Sequence, residues 1–368
     1  MNLEGRIDIT LRYHPEVPVA VHIESTRPHV AQKLLAGRSP AEAANLVGLV
    51  FSLCGNAQRI AAEAACEAAL GMQPDLTTRV ARDQAVLREL AREHAWRLLL
   101  DWPQQAGKSL GIAADMASLL CLRQADGDST QYAQTLDDLL RTTLLSEPAD
   151  EWLTRDLAAF DAWQEAGETS VARLFNALGH GPDRGVSQVT LLPPLQGLTT
   201  QAARSLAAGA LTDVAFCAQP LWQGAPAETG AVGRLCGNAL LAGWIEQRGR
   251  GVGARMLARL LELAVLPGLL QAPTGDMVRA WSLDENVGAA GVETSRGLLL
   301  HAVRLHAGKI VEYRIVAPTE WNFHPTGALA QALSSLSAPP AMLAVHAGLI
   351  VQSLDPCVAF DINLIETR

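Results

Sequence analysis

The 368-residue sequence predicts an α+β fold, with β-hairpins towards both ends and a helical bundle between them. Three observations carry this expectation: two-residue apolar alternation over 6–24, helical periodicity over 76–165, and a second alternating pair of segments from Val292. With 49% hydrophobic and 18% charged residues the chain can bury a substantial core, and a single domain over 1–368 accommodates it. A net charge of −9 without a basic block argues against nucleic acid or an anionic membrane as partner. The apolar stretch Leu257–Leu270 is interrupted by Arg259, Glu262 and Pro267, and none reaches the ~20 residues of a membrane span. The start Met1–Arg6 lacks a basic-then-apolar leader, so a cytoplasmic protein is expected. Six scattered cysteines suit a reducing compartment rather than a disulfide framework.

The elements follow in order. Ile7, Ile9 and Leu11 share one strand face, and Val17, Val19, Val21 and Ile23 follow a turn at His14-Pro15-Glu16, giving a hairpin that delivers Glu24 to its end. Ser39-Pro40-Ala41-Glu42 reads as a capping box, so a helix should run from about residue 40 towards Cys54. Gly55 and Asn56 permit a break before a second helix over Ala57–Leu70, ended by Gly71. In the bundle, Val80, Leu87, Leu90, Ala91, His94, Ala95 and Leu98 form one stripe with Gln84 as a polar gap, and breaks are expected at Pro103, Asp126-Gly127 and Pro148. Gly179–Gly185 is a connector, followed by a short strand within Ser187–Leu192 and a helix over Gln201–Ala208. From Val292 the pattern becomes two strands, Leu298–Leu305 and Ile310–Val316, turned at His306–Lys309. Helices over Gly327–Leu336 and Pro340–Ser353 then lead to Asp355-Pro356-Cys357, so 327–363 reads as helices and a cysteine motif.

Cys54 stands at the expected helix–helix junction, where a sulfur can project into a cleft and following amides favour a thiolate. A lone cysteine among Leu53, Ile60 and Ala61 is more often a small core residue, and Cys357 carries the same plain reading. Cys66, Cys121, Cys217 and Cys236 lack partner spacing and are assigned to the core. Arg296 precedes a strand, and the glycine after it allows close approach of a ligand; its planar fork suits an anion, whereas a surface pair with Glu293 is the plainer role. Thr319 falls on a loop, where its hydroxyl can bond an anion or cap a turn. Gly249-Arg250-Gly251-Val252-Gly253 has the wrong spacing for a dinucleotide loop, and the nine histidines show no metal-ligand spacing.

Taken together along the chain, these fragments resemble the large subunit of nickel–iron hydrogenases. His22-Ile23-Glu24-Ser25 resembles that family's Arg-Ile-Glu-Gly, Leu53-Cys54-Gly55-Asn56-Ala57 its Cys-Gly-x-Cys, and Glu228–Arg234 its Glu-x-Gly-Pro-Leu-x-Arg. Ser295-Arg296-Gly297 with His301 resembles Pro-Arg-Gly followed by His, and Pro318–Asn322 resembles Pro-Thr-Thr-Trp-Asn. Asp355-Pro356-Cys357 matches the start of Asp-Pro-Cys-x-x-Cys-x-x-His. The resemblance implies a large-subunit-like fold, Cys54 and Cys357 as metal ligands, and Arg296, Thr319, Ser295 and Glu24 as residues around the metal group, with Arg296 and Thr319 at positions that bond cyanide.

The departures are equally informative. A nickel–iron centre takes thiolates in pairs, and the second member of each pair is Ala57 or Phe360 here, while the terminal histidine is Asn363. Leu364–Arg368 is too short to resemble the extension removed from those subunits. This combination is similar to HupK/HoxV-type accessory proteins. It implies a non-enzymatic scaffold on which an Fe(CN)2(CO) group, without nickel, is assembled or held before delivery, with HypC/HypD-type proteins as partners and a hydrogenase large subunit as client. A metal-free interaction platform is the alternative; a catalytic large subunit is disfavoured because two thiolates are missing.

Overall fold

The computed structural model describes residues 5–14, 17–27, 30–106, 111–125 and 128–367. Pro15-Glu16 of the expected turn and the expected break at Asp126-Gly127 lie outside them.

Strands β1 (Arg6–His14) and β2 (Val17–Ser25) form the antiparallel hairpin, with Ile7, Ile9, Leu11, Val19 and Ile23 turned into the core. Ser39 caps the helix Pro40–Val50: Glu42 N donates to Ser39 Oγ at 3.4 Å and Ser39 N to Glu42 Oε2 at 2.8 Å. A 3-10 turn, Ser52–Cys54, joins it to the helix Gly55–Ala69. The second helix starts at Gly55 rather than after Asn56. The two helices cross there so closely that a Cβ on Gly55 would lie 2.7 Å from the Gly48 carbonyl oxygen.

In the bundle the break expected at Pro103 does not occur, because a π turn, Arg97–Asp101, carries the helix Leu76–Trp96 into Trp102–Ala106. Pro103 brings no N–H, and the Leu99 carbonyl four residues back accepts from Asp115 N at 2.9 Å instead. Pro148 does stand at a boundary, capping Ala149–Trp152. The central helix, Val252–Gln271, is buried along most of its length and packs against Leu76–Trp96 and Ser129–Leu139. Before it, the strand expected within Ser187–Leu192 shrinks to β3 (Thr190–Leu191), paired in parallel with β4 (Ala227–Glu228), and the next helix extends over Thr200–Thr212.

The two strands expected after Val292 are half of a sheet. Strands β5 (Val278–Asp284), β6 (Val287–Thr294), β7 (Gly297–His306) and β8 (Lys309–Val316) form a four-stranded antiparallel meander. All eight residues of β6 are buried, so no polar alternation marks the strand in the sequence. One face meets the helix Gly55–Ala69, where a Cβ on Gly288 would lie 2.3 Å from the Ala65 carbonyl oxygen; on the other, a Cβ on Gly291 would lie 2.7 Å from Leu195.

The helices Ala328–Ser334 and Pro340–Leu354 follow as expected. The segment after Cys357 is then a strand, not the continuation of a helical motif: β9 (Ala359–Glu366) adds in parallel to β1, giving the order β2-β1-β9. Phe360, Ile362 and Leu364 align with Ile7, Ile9 and Leu11, so apolar registry at opposite ends of the chain decides this pairing. Among the described residues, no helix is long and apolar enough to cross a membrane.

Candidate functional site

The β9–β1 pairing carries Cys357 to the end of the first hairpin, beside the turn Ser52–Cys54. Cys54 and Cys357 line one cavity of about 20 Å³ together with Arg27, Phe51, Leu53 and Val358. That is room for about one water, and Leu53, 48% exposed, carries the lining to the surface. Thr319, expected on a loop, instead opens the short helix Pro318–Asn322. Its Oγ1 donates to Cys357 Sγ at 3.0 Å and accepts from Cys357 N at 3.3 Å, which orients the thiol. Gln58, one turn beyond Cys54, donates from Nε2 to Cys54 Sγ at 3.7 Å.

Arg296 stands behind the two thiols in the β6–β7 turn. It is 3% exposed, so it is not the surface partner of Glu293, which instead binds Arg234 at 2.7 Å. Gly297 does allow a close approach, but to the chain itself: a Cβ there would lie 2.4 Å from Thr229. Arg296 Nη2 donates to Glu93 at 2.7 Å and its Nε lies 3.3 Å from Asp355, while Nη1 is buried with no hydrogen-bond partner among the described residues. Asp355 adopts a left-handed φ of 56° after the helix Pro340–Leu354 and also meets Arg97 at 2.6 Å and Arg259 at 3.2 Å. Burial opposes the Asp355 charge, but Arg296, Arg97 and Arg259 hold its carboxyl well below the usual range. Burial likewise opposes the Arg296 cation, and Asp355, Glu93 and both thiols outweigh it.

Arg27 completes the cavity, with Nη1 3.4 Å from Glu320 and its guanidinium carbon 5.7 Å from the Phe51 ring centroid. Desolvation disfavours this cation too, but Cys357, Glu320 and Cys54 hold its pKa above the ordinary arginine value. The arrangement offers two thiols and two guanidinium groups, a set suited to a thiophilic metal bearing anionic ligands. Among the described residues, no group of three or more His, Cys, Asp or Glu side chains is placed to hold a metal ion.

The expectation that helix amides favour a Cys54 thiolate is corrected. Glu89 takes those amides, accepting from Asn56 N at 2.9 Å and Ala57 N at 3.3 Å. Burial, then the charges of Glu89 and Cys357, push the Cys54 thiol up to about 12. Burial also pushes Glu89 up to about 7, against the two amide bonds that lower it. A carboxyl whose folded pKa exceeds its unfolded value, ~4.3, stabilises fully below the unfolded value and loses that contribution as pH rises through the folded one. In urea unfolding between pH 4 and 8, the stability of the wild type relative to Glu89→Gln should therefore fall as pH rises. Parallel profiles for the two proteins would refute it.

Other expected residues fall elsewhere. Glu24 is exposed on β2 opposite Asp8, and Ser295 is buried in the β6–β7 turn; neither lines the thiol cavity, and nor do Arg296 and Thr319, which stand behind it. Cys66 and Cys217 are core residues, but Cys121 and Cys236 are exposed, contrary to expectation, Cys121 lying on the outer face of Met116–Gln124 away from Leu119 and Leu122. The segment Gly249–Gly253 cradles the chain's own Asp183, whose carboxylate accepts from Gly251 N, Gly253 N and Ala254 N. Sequence reasoning passed over Arg27, Gln58, Glu89 and Glu93. Glu89 alone left a signal, as a carboxylate between Leu87 and Leu90 in the apolar stripe.

The fold defines the class. The model of the nickel-dependent hydrogenase family matches residues 231–362. Solved structures that share the fold include the reduced, active Ni-Fe-Se hydrogenase from Desulfomicrobium baculatum, with a TM-score of 0.63 at 14% identity over 97% of both chains. An NAD+-reducing [NiFe]-hydrogenase in the H2-reduced state gives 0.58 at 17% identity, over 97% of this chain and 96% of that one. The α+β architecture is thus that of NiFe(Se) hydrogenase large subunits. More similar in sequence are the hydrogenase expression/formation proteins HoxV of Cupriavidus necator, 30% identical over 94% of this chain and 93% of the relative, and HupK of Azotobacter vinelandii, 29% identical over 99% of both. The chain belongs to this HoxV/HupK family of hydrogenase expression/formation proteins.

Proposed function

We propose that this chain is a non-catalytic scaffold of hydrogenase maturation, which holds an Fe(CN)2(CO) group between Cys54 and Cys357 and passes it to a hydrogenase large subunit. The observation that carries the reading is the convergence of two thiols on one cavity, with no third or fourth sulfur in its lining among the described residues to make the hold permanent. The positions three residues beyond each are Ala57, buried in the core, and Phe360, on β9. Arg296, with its unpartnered buried Nη1, and Arg27 supply positive charge for the cyanides, and Thr319 orients Cys357. Iron on two thiolates passes readily to a client that offers a fuller thiolate set. The group exceeds one water in size, so loading requires the cavity to widen. HypC/HypD-type proteins are the proposed donors, in the cytoplasm, and nickel takes no part.

The test is anaerobic purification from cells with an active maturation system, followed by metal analysis and infrared spectroscopy. Iron with CN and CO bands, lost in Cys54→Ala and in Cys357→Ala, is the expected result. Nickel together with iron would instead indicate a catalytic subunit, and protein with neither metal an interaction platform.

A further inference from the structure

Behind Cys54 lies a buried chain of hydrogen bonds that links the sheet to the thiol. Tyr313 Oη is 2.6 Å from His301 Nδ1, His301 Nε2 is 3.0 Å from Gln58 Oε1, and Gln58 Nε2 is 3.7 Å from Cys54 Sγ. Tyr313 and His301 are 0% exposed and Gln58 1%. His301 projects from β7 and Tyr313 from β8, with their rings edge to face at 5.5 Å, while Gln58 is one helical turn beyond Cys54.

The orientation of the Gln58 amide gives the chain one direction. In the structure the Gln58 amide turns its nitrogen to the sulfur, where it can only donate, and its oxygen to His301, where it must accept. His301 therefore carries its proton on Nε2, and its Nδ1 accepts from the Tyr313 hydroxyl. Burial keeps the imidazole neutral, pushing its pKa down to about 3, and raises Tyr313 well above the ordinary phenol value, so both stay in the required state. Each donor polarises the next, which strengthens the last bond of the series.

We propose that Tyr313, His301 and Gln58 are positioning residues: a one-way relay that holds a donor on Cys54 Sγ and reduces the electron donation of that sulfur to a metal it ligates. The effect on the metal rests on the maturation reading above; the direction of the relay does not.

Two measurements test it separately. In the metal-free full-length protein, NMR of 15N-labelled histidine should show His301 as the Nε2–H tautomer, with Tyr313→Phe moving the Nδ1 resonance downfield as its donor is lost. An Nδ1–H tautomer, or a resonance indifferent to Tyr313→Phe in a folded variant, overturns the relay. In iron-loaded protein, Gln58→Leu should lower the CO stretching frequency by a few wavenumbers, because the freed thiolate donates more strongly and increases back-bonding into CO. Tyr313→Phe should produce a smaller shift in the same direction. An unmoved CO band in a loaded Gln58→Leu protein overturns the tuning role. Absence of CN and CO bands from the wild type refutes the maturation reading and with it the tuning, whereas the tautomer measurement still decides the relay.

Discussion

Asp355→Asn should lower the unfolding free energy by about 3–5 kcal/mol, the usual loss when one side of a buried ion pair is removed. Three guanidinium groups converge on this carboxylate, whose side chain is fully buried. Arg97 retains Asp101 and Arg296 retains Glu93, but Arg259 is left with the Ser353 carbonyl at 2.9 Å. Asparagine tolerates the left-handed backbone of this position, so the substitution isolates the charge. Asp101→Asn, at a partly exposed pair, is the control and should cost about 1 kcal/mol or less. The dependence on pH has the opposite sign to that of Glu89. A carboxyl held below its unfolded value of ~3.9 contributes fully above that value and loses the contribution as pH falls through the depressed one. The difference between wild type and variant in urea unfolding should be constant from pH 5 to 8 and shrink below the ordinary carboxylate range. Equal stability of the two proteins at neutral pH would show that Asp355 does not clamp the three arginines.

Arg296→Lys should weaken retention of the iron group about 10- to 150-fold, the equivalent of one charge-assisted hydrogen bond of ~1.5–3 kcal/mol. Lysine keeps the charge near Asp355 and Glu93 but has no planar fork, so it cannot serve those carboxylates and also aim a donor at a cyanide. Iron content and CN band intensity should fall together after gel filtration while the thermal midpoint moves little. Full occupancy in the variant would make Arg296 a structural cation. A large fall in the midpoint would mean that its ion pairs with Asp355 and Glu93 dominate its role.

The first hairpin was legible because β1 and β2 keep one face buried and the other wet, so alternation survives in the residues. The helix Pro40–Val50 was legible because Ser39 and Glu42 bond each other within a single turn. Strand β6 was not, since Val-Gly-Ala-Ala-Gly-Val is packed on both faces and carries no period. Pro103 misled because the amide that takes the Leu99 carbonyl, from Asp115, comes from another segment. At the site, Cys54 and Cys357 could be singled out by the motifs around them, whereas Arg27 stands in a segment with no periodicity and the Gln58 amide on a helix otherwise rich in alanine.

By itself the sequence determined the α+β class, the capped helix that leads to Cys54, and the reduced cysteine pattern with Ala57 and Phe360 in place of sulfur. Those features are written within a few consecutive residues, where periodicity and capping act. The tertiary structure alone decided that β9 joins β1 and brings Cys357 to Cys54, that Asp355 gathers three arginines, that Glu89 occupies the amides expected to serve a thiolate, and that the Tyr313–His301–Gln58 chain ends on a sulfur. Each of these depends on charges and hydrogen-bonding groups from distant segments meeting away from water, where their interactions are strongest and the linear order of residues carries no trace of them.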